Sequence, residues 1–141
     1  MNALETLPEK DLAASVKLSI HLLEDDLVYA ELVGFHLTEN ASCTIEKFNT
    51  GQEFLANLSK NPDLVILDFA LPDIGGDEMF KKVKAFNPNI EVIFLTATNN
   101  VSKVVELIKM GAYDYILKDE NAQRILLDDV LKIRNALTVK K

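Results

Sequence analysis

A single cysteine, Cys43, occurs among the 141 residues, so no internal disulfide can close. A lone thiol opening an apolar stretch fits a small core or edge residue in a reducing compartment, with no redox role. No apolar run reaches membrane-spanning length, and the amino end, MNALETLPEKDLAAS, carries acids where a secretory leader would carry basic residues. Cations are scarce as well: 15 lysines and arginines against 22 acids give a formal charge of -7, with no strong basic cluster. That balance argues against direct nucleic-acid binding, which needs cations to displace phosphate counterions. Internal repeats, low-complexity tracts and interdomain linkers are missing too. Together these absences predict one soluble, cytoplasmic unit whose partner is a protein or a small cation, with no membrane association.

What is present is a regular alternation. A chain of this length forms one domain and buries about two-thirds of the surface its unfolded form exposes. Residues 1–15 read as an amino-terminal appendage with a short helix opening at Pro8, and residues 16–141 as the domain. Apolar, strand-like runs fall near 17–23, 43–48, 63–67, 90–95 and 113–117, the second weaker and more polar than the rest. Leu64 to Leu67 is apolar throughout, as in a strand buried on both faces.

Helical spacing links these runs. Val28, Leu32 and Phe35 mark a first helix, Phe54, Leu55 and Leu58 a short second, and Met79, Val83 and Phe86 a third. Val101, Val104, Val105 and Ile108 recur at i, i+3, i+4 and i+7 and are closed by Gly111 as a C-cap, while Leu126, Val130, Ile133 and Leu137 line a last helix. Five β-α units with right-handed crossovers predict an α/β fold: a doubly wound, five-stranded parallel sheet of order 2-1-3-4-5, the flavodoxin-like arrangement.

Four of the apolar runs end in a chemically useful polar group: Glu24, Asp25 and Asp26, then Asp68, Thr96 and Lys118. In open α/β sheets the working residues lie at the carboxyl ends of the strands, so these groups converge on one edge. Carboxylates on neighbouring strand ends, about 4.8 Å apart, repel by roughly 3 kcal/mol at an effective dielectric near 20. A hard divalent ion such as Mg²⁺ offsets that repulsion. Taken singly, each residue has a plainer reading: Asp25 or Asp26 as a helix start, Asp68 as a turn cap, Thr96 as a β-former, Lys118 as a surface lysine. Yet an aspartate placed directly after four apolar residues is partly desolvated, and it can serve as a nucleophile that forms an aspartyl phosphate. His21, inside a strand, and His36, on a helix, have no partner at ligand spacing and read as structural.

From about Lys17 to Leu137 the chain resembles the receiver domain of two-component response regulators. The resemblance rests on the Glu24-Asp25 pair, on Asp68 in DLVILDFALPDIGG with Gly76 as the loop glycine, on Thr96 in VIFLTAT and on Lys118 in YDYILK. It implies that Asp68 is the phosphoacceptor and that Asp25, Asp68 and the carbonyl of Ala70 bind Mg²⁺, with Glu24 acting through water. It further implies Thr96 as the switch hydroxyl, Tyr115 as the switch aromatic, and Lys118 as the cation facing the phosphoryl group. A histidine kinase or phosphotransfer protein is the implied donor. The implied readout is a downstream protein on the face of helix four, strand five and helix five, residues 100–110, 113–115 and 120–134, with homodimerisation on phosphorylation one outcome such a face allows. The protein would be no enzyme beyond promoting its own phosphorylation and dephosphorylation.

One departure is that Asp119, not proline, follows Lys118, which leaves the peptide there open between cis and trans and offers Asp119 as an N-cap. Two other classes stay open. An aspartyl-phosphate phosphatase needs a second aspartate two residues after the nucleophile, where this chain has Ala70. A vestigial receiver acting as an unphosphorylated interaction module would not need every site position filled. Nucleotide binding is disfavoured, since no GxxxxGK(S/T) loop is present and the first turn is acidic.

Overall fold

The computed structural model describes residues 17–140. The expected appendage at 1–15, with its helix at Pro8, and the final Lys141 lie outside the described residues. Strands β1 (Leu18–Leu23), β2 (Cys43–Phe48), β3 (Leu64–Leu67), β4 (Glu91–Thr96) and β5 (Asp114–Leu117) alternate with helices α1 (Leu27–Asn40), α2 (Gly51–Ala56), α3 (Gly76–Phe86), α4 (Val101–Lys109) and α5 (Ala122–Lys140). The sheet is parallel, in the order β2-β1-β3-β4-β5. The doubly wound fold is therefore as the sequence predicts.

Local chemistry sets the boundaries. Asp26 caps α1 by accepting the Tyr29 N–H at 3.1 Å, Thr50 caps α2 through the Glu53 N–H, and Asn100 caps α4 through the Lys103 N–H. Gly111 ends the α4 turn with φ of +109°, a left-handed value that suits glycine. Every residue of β3 is buried, because helices cover both faces of the sheet there. Cys43 is a buried free thiol at the start of the edge strand β2.

Two apolar layers result. On one face Ala30, Val33 and Leu37 of α1 and Leu126, Val130 and Ile133 of α5 pack on Leu18, Ile20, Leu22, Ile66 and Ile116. On the other, Phe54, Met79, Phe80, Val83 and Leu107 pack on Leu23, Val65, Leu67 and Phe94.

Two expected stripes face the other way. Val28, Leu32 and Phe35 are 71%, 57% and 68% exposed, and α1 instead buries Ala30, Val33, Gly34 and Leu37. Small residues at 30 and 34 let the helix backbone approach the sheet, which a stripe of larger side chains would prevent. In α4 only Leu107 is buried, and Val101, Val105 and Ile108 point to solvent.

Candidate functional site

The strand ladder continues past each strand end and fixes the site backbone. Glu24 N–H donates to Phe48 O at 3.0 Å, Asp68 N–H to Leu23 O at 3.0 Å, and Lys118 N–H to Thr96 O at 2.9 Å. Glu24, Asp68, Thr96 and Lys118 thereby share the carboxyl edge of the sheet. Because Asp26 is used as the α1 cap, Asp25 is the acid of that turn left for the site.

Carboxylate oxygens of Glu24, Asp25 and Asp68 lie within 4.8 Å of one another. Glu24 and Asp68 are buried and Asp25 is exposed. Lys118 reaches across two strands to join them, its Nζ 2.5 Å from Glu24 Oε1 and 3.2 Å from Asp68 Oδ2. The other oxygens are also engaged, Glu24 Oε2 by the Asp26 N–H at 3.1 Å and Asp68 Oδ1 by the Ala70 N–H at 3.1 Å. Burial alone would lower the Lys118 pKa, but the bond to Glu24 and the charge of Asp68 outweigh it and hold the ammonium above its ordinary value. Burial holds the Glu24 carboxyl above its ordinary value, against the pull of Lys118 and of the Asp26 N–H. Three hard oxygen donors from adjacent strand ends fit Mg²⁺, which takes few carboxylates from a protein and keeps water and phosphate oxygens around it.

Behind the acids, Thr96 is fully buried, and its hydroxyl oxygen accepts the Thr98 N–H at 3.3 Å. The Tyr115 hydroxyl donates to Thr98 O at 2.8 Å, and its ring lies 5.9 Å from Phe94 and 6.3 Å from Phe69. Burial and then the charge of Asp68 push the Tyr115 phenol up. Gly76 is needed for a close approach: a Cβ there would lie 3.0 Å from the Phe69 Cα, so the loop from Asp68 into α3 could not close as it does. The Lys118-Asp119 peptide is trans, as no cis bond occurs among the described residues. Asp119, expected as the helix N-cap, instead caps the turn before α5 by accepting the Asn121 N–H at 2.8 Å, two residues ahead of the position that directly precedes the helix.

All seven expected site residues, Glu24, Asp25, Asp68, Ala70, Thr96, Tyr115 and Lys118, fall on this edge or directly behind it. The two histidines do not: His21 is buried in β1 against Phe48 and Phe54, with Nε2 3.6 Å from Glu46, and His36 sits on α1. Two features were not foreseen, one at the site and one at the opposite, amino end of β5. Tyr29 presents its ring to Lys118, with Nζ 4.7 Å from the ring centroid. Asp129 of α5 is buried against Asp114 of β5, with Oδ2 lacking a hydrogen-bond partner. An aromatic in the first turn after the acid pair, and an acid between Leu126 and Val130 on the buried stripe, were the available signals.

A parallel sheet in the order β2-β1-β3-β4-β5, whose carboxyl edge gathers three acids and one lysine, defines a doubly wound α/β protein. The model of the response regulator receiver domain matches residues 20–128, and the chain belongs to that family. It is 31% identical over 120 residues to the luminescence regulatory protein LuxO of Vibrio campbellii, covering 84% of this chain and 26% of LuxO. It is 36% identical over 101 residues to the transcriptional regulatory protein CssR of Bacillus subtilis, covering 71% of this chain and 44% of CssR. The chain thus spans about a quarter of the length of the LuxO proteins it matches. Among solved structures, the signal receiver domain of a LuxO repressor protein from Vibrio parahaemolyticus superimposes with a TM-score of 0.78 at 27% identity, covering 89% of this chain and 96% of that one. The BeF3-activated DrrB receiver domain gives 0.77 at 29% identity, covering 85% and 99%. Among the described residues no helix is long and apolar enough to cross a membrane.

Proposed function

We propose that the chain is a working phosphoacceptor: it takes a phosphoryl group onto Asp68 from a histidine kinase or phosphotransfer protein and so changes a protein-binding surface. The observation that carries this is Lys118 held between Glu24 and Asp68, with Asp25 completing the acid cluster at the sheet edge. In the transfer, an Asp68 carboxylate oxygen forms the new bond to phosphorus as the phosphorus–nitrogen bond of the donor breaks, and the electron pair leaves with the imidazole. Lys118 supplies a fixed positive charge where the phosphoryl oxygens arrive. Asp25, Asp68 and the Ala70 carbonyl would hold Mg²⁺, with Glu24 acting through water, and the ion, when bound, would offset the acids and the incoming oxygens. Thr96 and Tyr115 meet at Thr98, so a move of the Thr96 hydroxyl toward the new group breaks its bond to the Thr98 N–H and disturbs the carbonyl that holds Tyr115.

The readout surface is the face of α4, β5 and α5, where Val101, Val105, Ile108, Met110 and Tyr113 are already exposed. Residues 16–141 form the receiver and 1–15 its appendage, the protein acts in the cytoplasm, and its chemistry is confined to its own phosphorylation and dephosphorylation. Intact mass after incubation with Mg²⁺ and acetyl phosphate tests the proposal. One added phosphoryl group, absent in Asp68→Asn, is the expected result; steady turnover of phosphate esters would point to a phosphatase, and no label from any donor to a vestigial module.

A further inference from the structure

Lys118 has no proline after it to stiffen its backbone, and its side chain ends a flexible four-carbon stem. Glu24 holds the ammonium closer than Asp68 does, at 2.5 Å against 3.2 Å. The contact to the acceptor is therefore the longer of the two, and the one that a small swing of the stem would break first. The remaining side of the ammonium is closed by the ring of Tyr29, whose centroid is 4.7 Å from Nζ. That distance lies within cation–π range, and the Lys118 side chain is only 17% exposed, a setting in which such contacts are stronger than in open water. The ring is itself fixed. Tyr29 stands in the first turn of α1, its N–H bonded to the capping Asp26 at 3.1 Å, and it packs against the apolar layer beneath α1 and α5.

We propose that Tyr29 is a positioning residue: its ring confines the Lys118 ammonium so that it spans Glu24 and Asp68 instead of pairing with Glu24 alone. This rests on the assignment of Asp68 as phosphoacceptor. The cap that starts α1 thereby also aims the cation of the strand-five end, and the aromatic face, not the hydroxyl, is the working part. Tyr29→Phe keeps the face and Tyr29→Leu removes it.

The test uses the full chain with Mg²⁺ and acetyl phosphate, following the labelling rate by intact mass. Tyr29→Phe labels within about twofold of the parent, and Tyr29→Leu labels about fivefold to thirtyfold more slowly, the span a partly desolvated cation–π contact supports. In a Lys118→Met background the Tyr29→Leu change has no further effect, because the two act as a unit. Ring-current shifts of the Lys118 Cε protons, read by NMR without metal, persist in Tyr29→Phe and vanish in Tyr29→Leu. That measurement also stands if Tyr29→Leu lowers stability. Parental labelling by Tyr29→Leu, equal slowing with and without Lys118, or unchanged Lys118 shifts would each overturn the proposal while leaving phosphorylation of Asp68 intact. A parent chain that takes no label refutes the assignment of Asp68 instead.

Discussion

Replacing Asp25 with asparagine should make the metal-free protein more stable and the magnesium-loaded protein less so. Asp25 faces Glu24 and Asp68, with oxygens within 4.8 Å, and among the described residues nothing pairs with it. Lys118 offsets one of the two facing charges, so Asp25 opposes one net negative charge. At 4.8 Å that repulsion is about 3.5 kcal/mol at a dielectric of 20 and about 0.9 kcal/mol at that of water. Asp25 is exposed, which favours the lower end, so the neutral isostere relieves about 1 kcal/mol and raises the Tm by about 3–6 °C. Magnesium reverses the order. A ligand at a hundredfold its Kd stabilises the parent by about 2.7 kcal/mol, and the variant, short of a carboxylate ligand, gains far less. Calorimetric melts in chelator and across a Mg²⁺ titration would show the two curves crossing. A variant that melts below the parent in chelator, or that gains as much from Mg²⁺, refutes the electrostatic account of this site.

Two further outcomes follow from burial. Leu37→Ala, at a fully buried position of α1, costs about 2–5 kcal/mol in urea melts, whereas Leu32→Ala on the exposed stripe changes stability by no more than about 0.5 kcal/mol. Burial, then Asp114 and Asp128, push the Asp129 carboxyl up to about 8 against the pull of Lys132. Its ordinary value is about 3.8, so between these values the folded state holds a proton that the unfolded state has lost. Stability from this group is complete below the lower value and falls by up to about 1.4 kcal/mol per pH unit as pH rises toward the upper one. Urea melts across this range should show that slope as the difference between the parent and Asp129→Asn; parallel profiles would refute it.

Strand positions were legible because apolar runs alternate with helical spacing, and right-handed crossovers order them so that the acid after Leu67, the hydroxyl after Leu95 and the lysine after Leu117 meet at one edge. Helix faces were legible in α3 and α5, where Met79, Val83, Leu126, Val130 and Ile133 are buried as their spacing predicts, but not in α1 and α4. The first helix has apolar side chains nearly all round, Leu27, Val28, Ala30, Leu32, Val33, Phe35 and Leu37, so two stripes fit the helical period. Contact with the sheet chose the one containing Ala30 and Gly34. The fourth helix repeats the lesson, since Val101, Val105 and Ile108 keep helical spacing while Leu107 alone is buried. Within the site, residue types and strand ends were readable, but not the partner each atom takes. Periodicity does not encode that Lys118 meets Tyr29, nor that Asp26 is spent on the helix start.

The placement of β1 has a consequence for synthesis. The earliest strand of the sheet lies between β2 and β3, so one flank can pair only after Phe48 is made and the other only after Leu67. Until then LSIHLL presents open ladder groups and oily side chains, the features that invite pairing with foreign chains. A ribosome paused before β3 would display this segment to chaperones, and a fragment ending there would be prone to precipitate.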